Sequence, residues 1–238
     1  MRPARFLTQV IAACTLGAML GFSAPQPAQA EAAVKIDPPA AEAPAPAGLE
    51  TAVIAGGCFW GIQAVYQHVK GVTNAVSGYA GGNQKDASYQ LVGSGRTGHA
   101  EAVKVTFDPR EISYGKILQI YFSVAHDPTQ LDGQGPDSGT QYRSEIFPQS
   151  EAQAQTAKAY IAQLDAAKAF RKPIVTKTGS MKTAFYPAED YHQDYATLHP
   201  YQPYIVINDA PKVAHLKQLY PQVWRETPVT VAQAAKGN

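Results

Sequence analysis

Thr51-Ala52-Val53-Ile54-Ala55-Gly56-Gly57-Cys58-Phe59-Trp60-Gly61 is the stretch on which the reading of this chain turns. Thr51 to Ala55 is apolar and β-branched, as a short buried strand is. From Cys58 onward, Ile62, Val65, Tyr66 and Val69 recur at helical spacing. Gly56 and Gly57 form the turn between the two, so Cys58 falls in the first turn of a helix. Unpaired backbone N–H groups and the positive end of the helix dipole favour an anion there. A thiol so placed is expected to ionise more easily, and the thiolate is the nucleophile. An isolated cysteine is more often a small buried hydrophobe. Two glycines before it and two aromatics after it argue for a nucleophile instead.

Outward from this stretch, Gly71 to Tyr79 reads as a strand ending in Gly78, Gly81 and Gly82, and Asn83 to Gly98 is polar and irregular. Ala102, Lys104 and Thr106 alternate with Val103, Val105 and Phe107, a strand pattern. Glu101 opens that strand, out of phase with its charged face if the sheet has a second covered side. Ser113 is an N-cap for an amphipathic helix using Ile117, Leu118, Ile120, Tyr121 and Phe122. Thr129 to Tyr142 is a long glycine-rich loop, and Arg143 to Phe147 is the next strand. Ser150 and Gln153 make a capping box for a helix running towards Phe170. Pro173 to Thr178 reads as a strand, Phe185 to Tyr195 is dense in aromatic, acidic and histidine residues, and a last helix lies around Val213, Leu216 and Leu219. Strands interspersed with helices predict an α+β fold, a two-layer mixed-sheet sandwich of the ferredoxin-like plait type with long glycine-rich loops.

The amino terminus has its own logic. Arg2 and Arg5, a largely apolar run from Phe6 to Phe22, and Ala28-Gln29-Ala30 form the three parts of a secretory signal over residues 1–30, with cleavage expected after Ala30. Ile11-Ala12-Ala13-Cys14 loosely resembles a lipoprotein box, although the apolar run continues past it. Residues 31–48 are rich in alanine and proline without periodicity and predict a disordered or semi-extended linker. The folded domain is expected over 49–225, followed by a tail, 226–238. The net charge of +1 becomes −1 once a leader with two arginines and no acid is removed, which gives no reason to expect nucleic acid or an anionic membrane surface as partner. Export to a bacterial periplasm is the expected localisation. Of the two cysteines, Cys14 lies in the leader, so the exported chain carries one thiol and no internal disulfide in an oxidising compartment.

Five segments taken together carry a resemblance: GGCFWG at Cys58, GYAGG ending at Gly82, TGHAEAV from Thr97 to Val103, GTQYRS from Gly139 to Ser144, and FYPAEDYHQ from Phe185 to Gln193. In this order they resemble the A-type peptide methionine sulfoxide reductases over about Ala52 to Tyr204. The resemblance implies that Cys58 attacks the sulfur of an S-epimer methionine sulfoxide, releasing methionine and leaving a cysteine sulfenic acid. It implies that Glu101 is the proton donor, kept protonated by an apolar pocket, and that Tyr89 and Tyr142 hold the sulfoxide oxygen. Phe59 and Trp60 would form the pocket for the substrate's methyl group, and Asp137 would order the pocket by hydrogen bonds. The family reading needs no histidine base, so His99, His126 and His192 are expected as structural or pocket supports, and no metal is implied.

One departure matters. Many members of the family carry further cysteines near the carboxyl terminus, whereas Pro211 to Asn238 holds none. The sulfenic acid then needs an external thiol reductant, either a thioredoxin-like protein or glutathione with glutaredoxin. The expected partners are oxidised methionine-containing proteins and peptides together with that reductant, acting on a monomer. A cysteine hydrolase pairing Cys58 with a histidine, and a binding module for oxidised envelope proteins, are the competing readings.

Overall fold

Residues 32–42 and 47–236 are described by the computed structural model. The expected leader and its cleavage site lie outside the described residues. Strand β1 (Glu50–Gly56) leads through Gly57 and Cys58 into α1 (Phe59–Gln67), which returns over the sheet to β2 (Val72–Ala80). A short helix α2 (Tyr89–Val92) interrupts the irregular stretch before β3 (Ala100–Phe107). Helix α3 (Tyr114–Ile120) is capped by Ser113, whose Oγ accepts from the Lys116 N–H at 3.1 Å, and it runs into a buried π-helical turn, Tyr121–Ala125. The long loop holds the small ladder β4 (Gly133–Gln134) and β5 (Asp137–Ser138). Strand β6 (Ser144–Phe147), helix α4 (Glu151–Ala166), and the short strands β7 (Lys177–Thr178) and β8 (Phe185–Pro187) follow. Helices α5 (Tyr195–Leu198), α6 (Ala210–Leu219) and α7 (Val231–Ala234) complete the chain, with a second π-helical turn, Ile205–Asp209, leading into α6.

The main sheet runs β7-β6-β1-β3-β2-β8, with β6 and β7 parallel and every other neighbour antiparallel, so it is mixed and the fold is α+β. Ile54 lies opposite Val103, and Ala55 lies opposite Ala102. The period-two pleat therefore sends Ile54, Val103, Val105 and Phe107 into the main core, where Phe59, Ile62, Val65 and Tyr66 of α1 cover them. Val53, Ala55, Ala100 and Ala102 face the other way, into a smaller cluster with Phe147. The sheet is thus covered on both sides at this end. Glu101 shares the parity of Val103 and points to the α1 side.

Two expectations about the elements are corrected. The Pro173 to Thr178 strand shortens to two residues, and the α4 helix stops at Ala166 rather than reaching towards Phe170. The alanine- and proline-rich segment, expected as a disordered or semi-extended linker, is held as a strap against the domain where it is described. Its Val34 N–H donates to Ser123 O at 3.0 Å, and Ser123 Oγ, Gln119 Nε2, Tyr160 Oη and Gln163 Nε2 donate to the carbonyls of Val34, Ile36, Asp37 and Pro38. Ile36 is buried, and the Glu42 carboxylate accepts from Ser113 Oγ and the Gly115 N–H at the start of α3. Periodicity missed this strap because the domain supplies the donors. The tail is likewise folded back: Val229 N–H donates to Gln67 O at 2.9 Å and Val231 N–H to Asp194 Oδ1 at 2.9 Å.

Candidate active site

Gly57 adopts φ +94°, and a Cβ there would stand 2.5 Å from the side chain of Gln134. Only glycine permits so sharp an entry into α1. Cys58 becomes the N-cap of that helix, with a buried sulfur. The expectation of an easily ionised thiol is not met. Burial pushes the Cys58 thiol well above its ordinary value, and the carboxylates of Glu101 and Asp209 push it further in the same direction. The Trp60 N–H faces the sulfur and favours the thiolate without making a capping hydrogen bond. Desolvation and neighbouring acids outweigh the helix terminus here.

Glu101 is 3% exposed, and its Oε2 accepts from the N–H of Phe59, the residue after Cys58, at 3.1 Å. Burial raises its carboxyl to about 8, against the lowering effect of that N–H, with Asp137 and Asp209 adding to the rise. Among the described residues it belongs to none of the ion pairs. A carboxyl in this state carries its proton at neutral pH.

The two tyrosines converge on the same place. Tyr89 stands at the start of α2, its N–H donating to Glu189 Oε1 at 3.0 Å, and its ring lies 4.4 Å from that of His192. Tyr142 closes a 3-10 turn, Thr140–Tyr142, and is half-buried. Burial raises both phenols, and Glu101 and Cys58 add to the rise in each, so all four groups share one electrostatic neighbourhood. Both hydroxyls therefore stay protonated donors.

Phe59 and Trp60 diverge, as adjacent helical positions must. Phe59 is fully buried against Tyr79 and His192, with ring centroids 6.0 and 5.1 Å away. Trp60 is half-buried, stacks on Tyr195 at 3.9 Å and meets the edge of Tyr204 at 6.0 Å. Asp137, on β5, accepts a very short hydrogen bond from the Tyr204 hydroxyl. Burial raises the Asp137 carboxyl, while Tyr204 and the Lys212 ammonium pull it down.

The histidines are engaged elsewhere. His99 Nδ1 accepts from the Gly82 N–H, and its Nε2 meets Asn83 O at 2.9 Å. His126 stacks on Tyr121, its Nδ1 meets Tyr121 O, and burial lowers it to about 3. His192 Nδ1 accepts from Trp60 Nε1 at 3.2 Å, which fixes the indole. None of these contacts involves Cys58, which lends the cysteine-hydrolase reading no support. Among the described residues no group of His, Cys, Asp and Glu side chains is arranged to hold a metal ion.

A family model described as peptide methionine sulfoxide reductase matches residues 50–224. The chain belongs to this family. It is 62% identical over 188 residues to a peptide methionine sulfoxide reductase of Mesorhizobium japonicum, covering 79% of this chain and 96% of that protein. A relative from Deinococcus radiodurans is 50% identical over 174 residues, covering 73% of this chain and 84% of that protein. Among solved structures, the reduced form of Mxr1 from Saccharomyces cerevisiae superposes with a TM-score of 0.58 at 32% identity, covering 66% of this chain and 89% of that one. Methionine sulfoxide reductase A of Corynebacterium diphtheriae gives 0.55 at 36% identity, covering 66% and 79%. The protein is a peptide-methionine (S)-S-oxide reductase, an oxidoreductase of protein repair.

Sequence reasoning singled out Cys58, Glu101, Tyr89, Tyr142, Asp137, Phe59 and Trp60, and the fold brings Cys58, Glu101, Tyr89, Tyr142 and Asp137 into one electrostatic neighbourhood at the start of α1. It missed Tyr204 on Asp137 and Tyr195 on Trp60, and gave His192 no specific contact. The only signal for these lay in the aromatic density of the segment from Phe185 onward.

Proposed function

We propose that the reductase works through a Cys58 sulfenic acid. The observation carrying this is the buried Glu101 carboxyl, protonated to about pH 8 and joined to the Phe59 N–H beside the nucleophile. Glu101 gives its proton to the sulfoxide oxygen, which Tyr89 and Tyr142 hold through their hydroxyls. The Cys58 sulfur bonds to the substrate sulfur as its thiol proton passes to Glu101. The protonated oxygen then passes from the substrate sulfur to the Cys58 sulfur as the S–O and S–S bonds to the substrate break, yielding methionine and the Cys58 sulfenic acid, whose hydroxyl carries the proton Glu101 gave while Glu101 keeps the thiol proton. The step is neutral in protons, which suits a thiol that resists ionisation.

An external thiol attacks the sulfenic acid, forming a mixed disulfide and water, and a second thiol releases Cys58 and a disulfide. The absence of a second cysteine after Cys58 supports this route, with a thioredoxin-like protein or glutathione as donor. The three-part leader pattern supports repair in the cell envelope after export, with fractionation of the expressed full chain as its test. The antiparallel order of β6-β1-β3-β2 supports the ferredoxin-like plait. The deciding experiment is a single turnover without added thiol, offering each sulfoxide epimer and recording methionine and the mass of Cys58. One equivalent of methionine from the S epimer with one oxygen gained is expected. Methionine released with no oxygen on Cys58 overturns the sulfenic route.

A further inference from the structure

Asp209 ends the π-helical turn before α6 and is completely buried, although no chemistry so far described uses it. Its carboxylate lies against the first turn of α1: a Cβ added at Gly61 would stand 2.2 Å from Asp209 Oδ1 and 3.3 Å from Lys212 Cδ. Glycine at the third residue of α1 is what lets this carboxylate approach. Lys212, one turn along and almost as buried, places its Nζ 3.8 Å from Asp209 Oδ1. A buried ion pair is poor evidence for stability, because desolving two charges offsets most of their attraction, so its placement asks for another reason.

The two ends of the pair act on different acids. After burial, the Asp209 charge adds to the proton affinity of Cys58, Glu101 and Tyr204. The Lys212 ammonium, by contrast, lowers Asp137 and His126, in both of which burial is the first cause of displacement. Asp209 is faced by Lys212 from α6, and its charge reaches Cys58 at the head of α1, Glu101 from β3 and Tyr204 before its own turn. His68, at the far end of α1, shares with it a cavity of about 330 Å³. We propose that Asp209 and Lys212 form a positioning dipole that polarises the pocket, its negative end on the Cys58 and Glu101 side and its positive end on the Asp137 side. The dipole sorts the protons of two neighbouring carboxyls: Glu101 keeps one to give, and Asp137 stays an acceptor for Tyr204. This use of the dipole rests on the reading of Glu101 as the acid.

The test follows Glu101 and Asp137 by carboxyl carbon NMR titration of the labelled full chain, alongside the pH dependence of single-turnover methionine release. Asp209→Asn is expected to lower the Glu101 midpoint by about half a pH unit or more. Asp209→Asn with Lys212→Met removes both charges, keeps the core neutral and folded, and is expected to lower Glu101 less while raising Asp137. Midpoints of Glu101 and Asp137 unmoved in the folded double variant overturn the dipole, whether or not the single variant folds. Midpoints that move while the release profile stays fixed uphold the dipole and remove Glu101 from the role of acid.

Discussion

Two glutamates flank β1, one on each face of the sheet, and folding treats them in opposite ways. Glu145, opposite Ala55 on β6, is paired with Arg143 at 2.6 Å, and that guanidinium also donates to the carbonyls of Gly98, His99 and Thr140. Glu101 shares the parity of Val103 on β3, receives one N–H from Phe59, and belongs to no ion pair among the described residues. Both are nearly excluded from solvent. A buried carboxyl met by a guanidinium ties strands together, whereas one met only by an N–H is pushed by burial to retain its proton. Among the described residues, the two sites differ by one guanidinium.

The comparison presumes that the reacting atom lies on the Glu101 side. Cys58→Ser is expected to abolish methionine release, by about a thousandfold or more, and full activity in a single-turnover assay would end it. Glu101→Gln should slow release about a hundredfold. Wild-type release should hold below about pH 8 and decline above it, since the proton must be present to be given; the variant should lack that decline. The same raised carboxyl has a stability consequence. The folded state holds this proton more tightly than the unfolded chain, so its contribution is present at acid pH and is lost as pH rises towards about 8. Denaturant unfolding at pH 9 should therefore find Glu101→Gln more stable than wild type.

Tyr89→Phe and Tyr142→Phe each remove one neutral donor, and about a tenfold loss in release rate from each is expected, against about a hundredfold for the pair. Equal rates in the double variant and wild type would take both hydroxyls off the sulfoxide oxygen. Glu145→Gln sharpens the contrast from the other face. It should cost about 2 kcal/mol in urea unfolding, because Arg143 is left without its partner, and leave the pH dependence of release unchanged. A shifted profile would mean that the two faces are electrically coupled. Ile36→Ala, remote from both glutamates, should cost about 2 kcal/mol with an unaltered release rate.

Much of this was legible in the chain. The apolar alternation of Val103, Val105 and Phe107, the glycine turn before Cys58 and the Ser113 cap each follow a local rule, and each lies where that rule puts it. The candidate site residues were singled out on the five motifs that carry the family resemblance. The proton affinity of Cys58 was not readable, since the helix terminus is local whereas Glu101 and Asp209 arrive from 43 and 151 residues further along. Tyr204 and Lys212 were hidden for a similar reason: a tyrosine among 13 and a lysine on a helix announce nothing until the π-helical turn aims them inward.

The strap of residues 32–42 offers mostly its carbonyls, and a carbonyl is the one polar group that every amino acid, proline included, presents alike. Gln119, Ser123, Tyr160 and Gln163 read a backbone, and side chains count mainly where Ala33, Val34, Ile36 and Glu42 meet the domain. The instructions for seating this segment are therefore written in the body that receives it. Substitution can wander through the strap's prolines and its alanines other than Ala33 over generations without unseating it, whereas a single change at Gln119 or Tyr160 would be felt along its length.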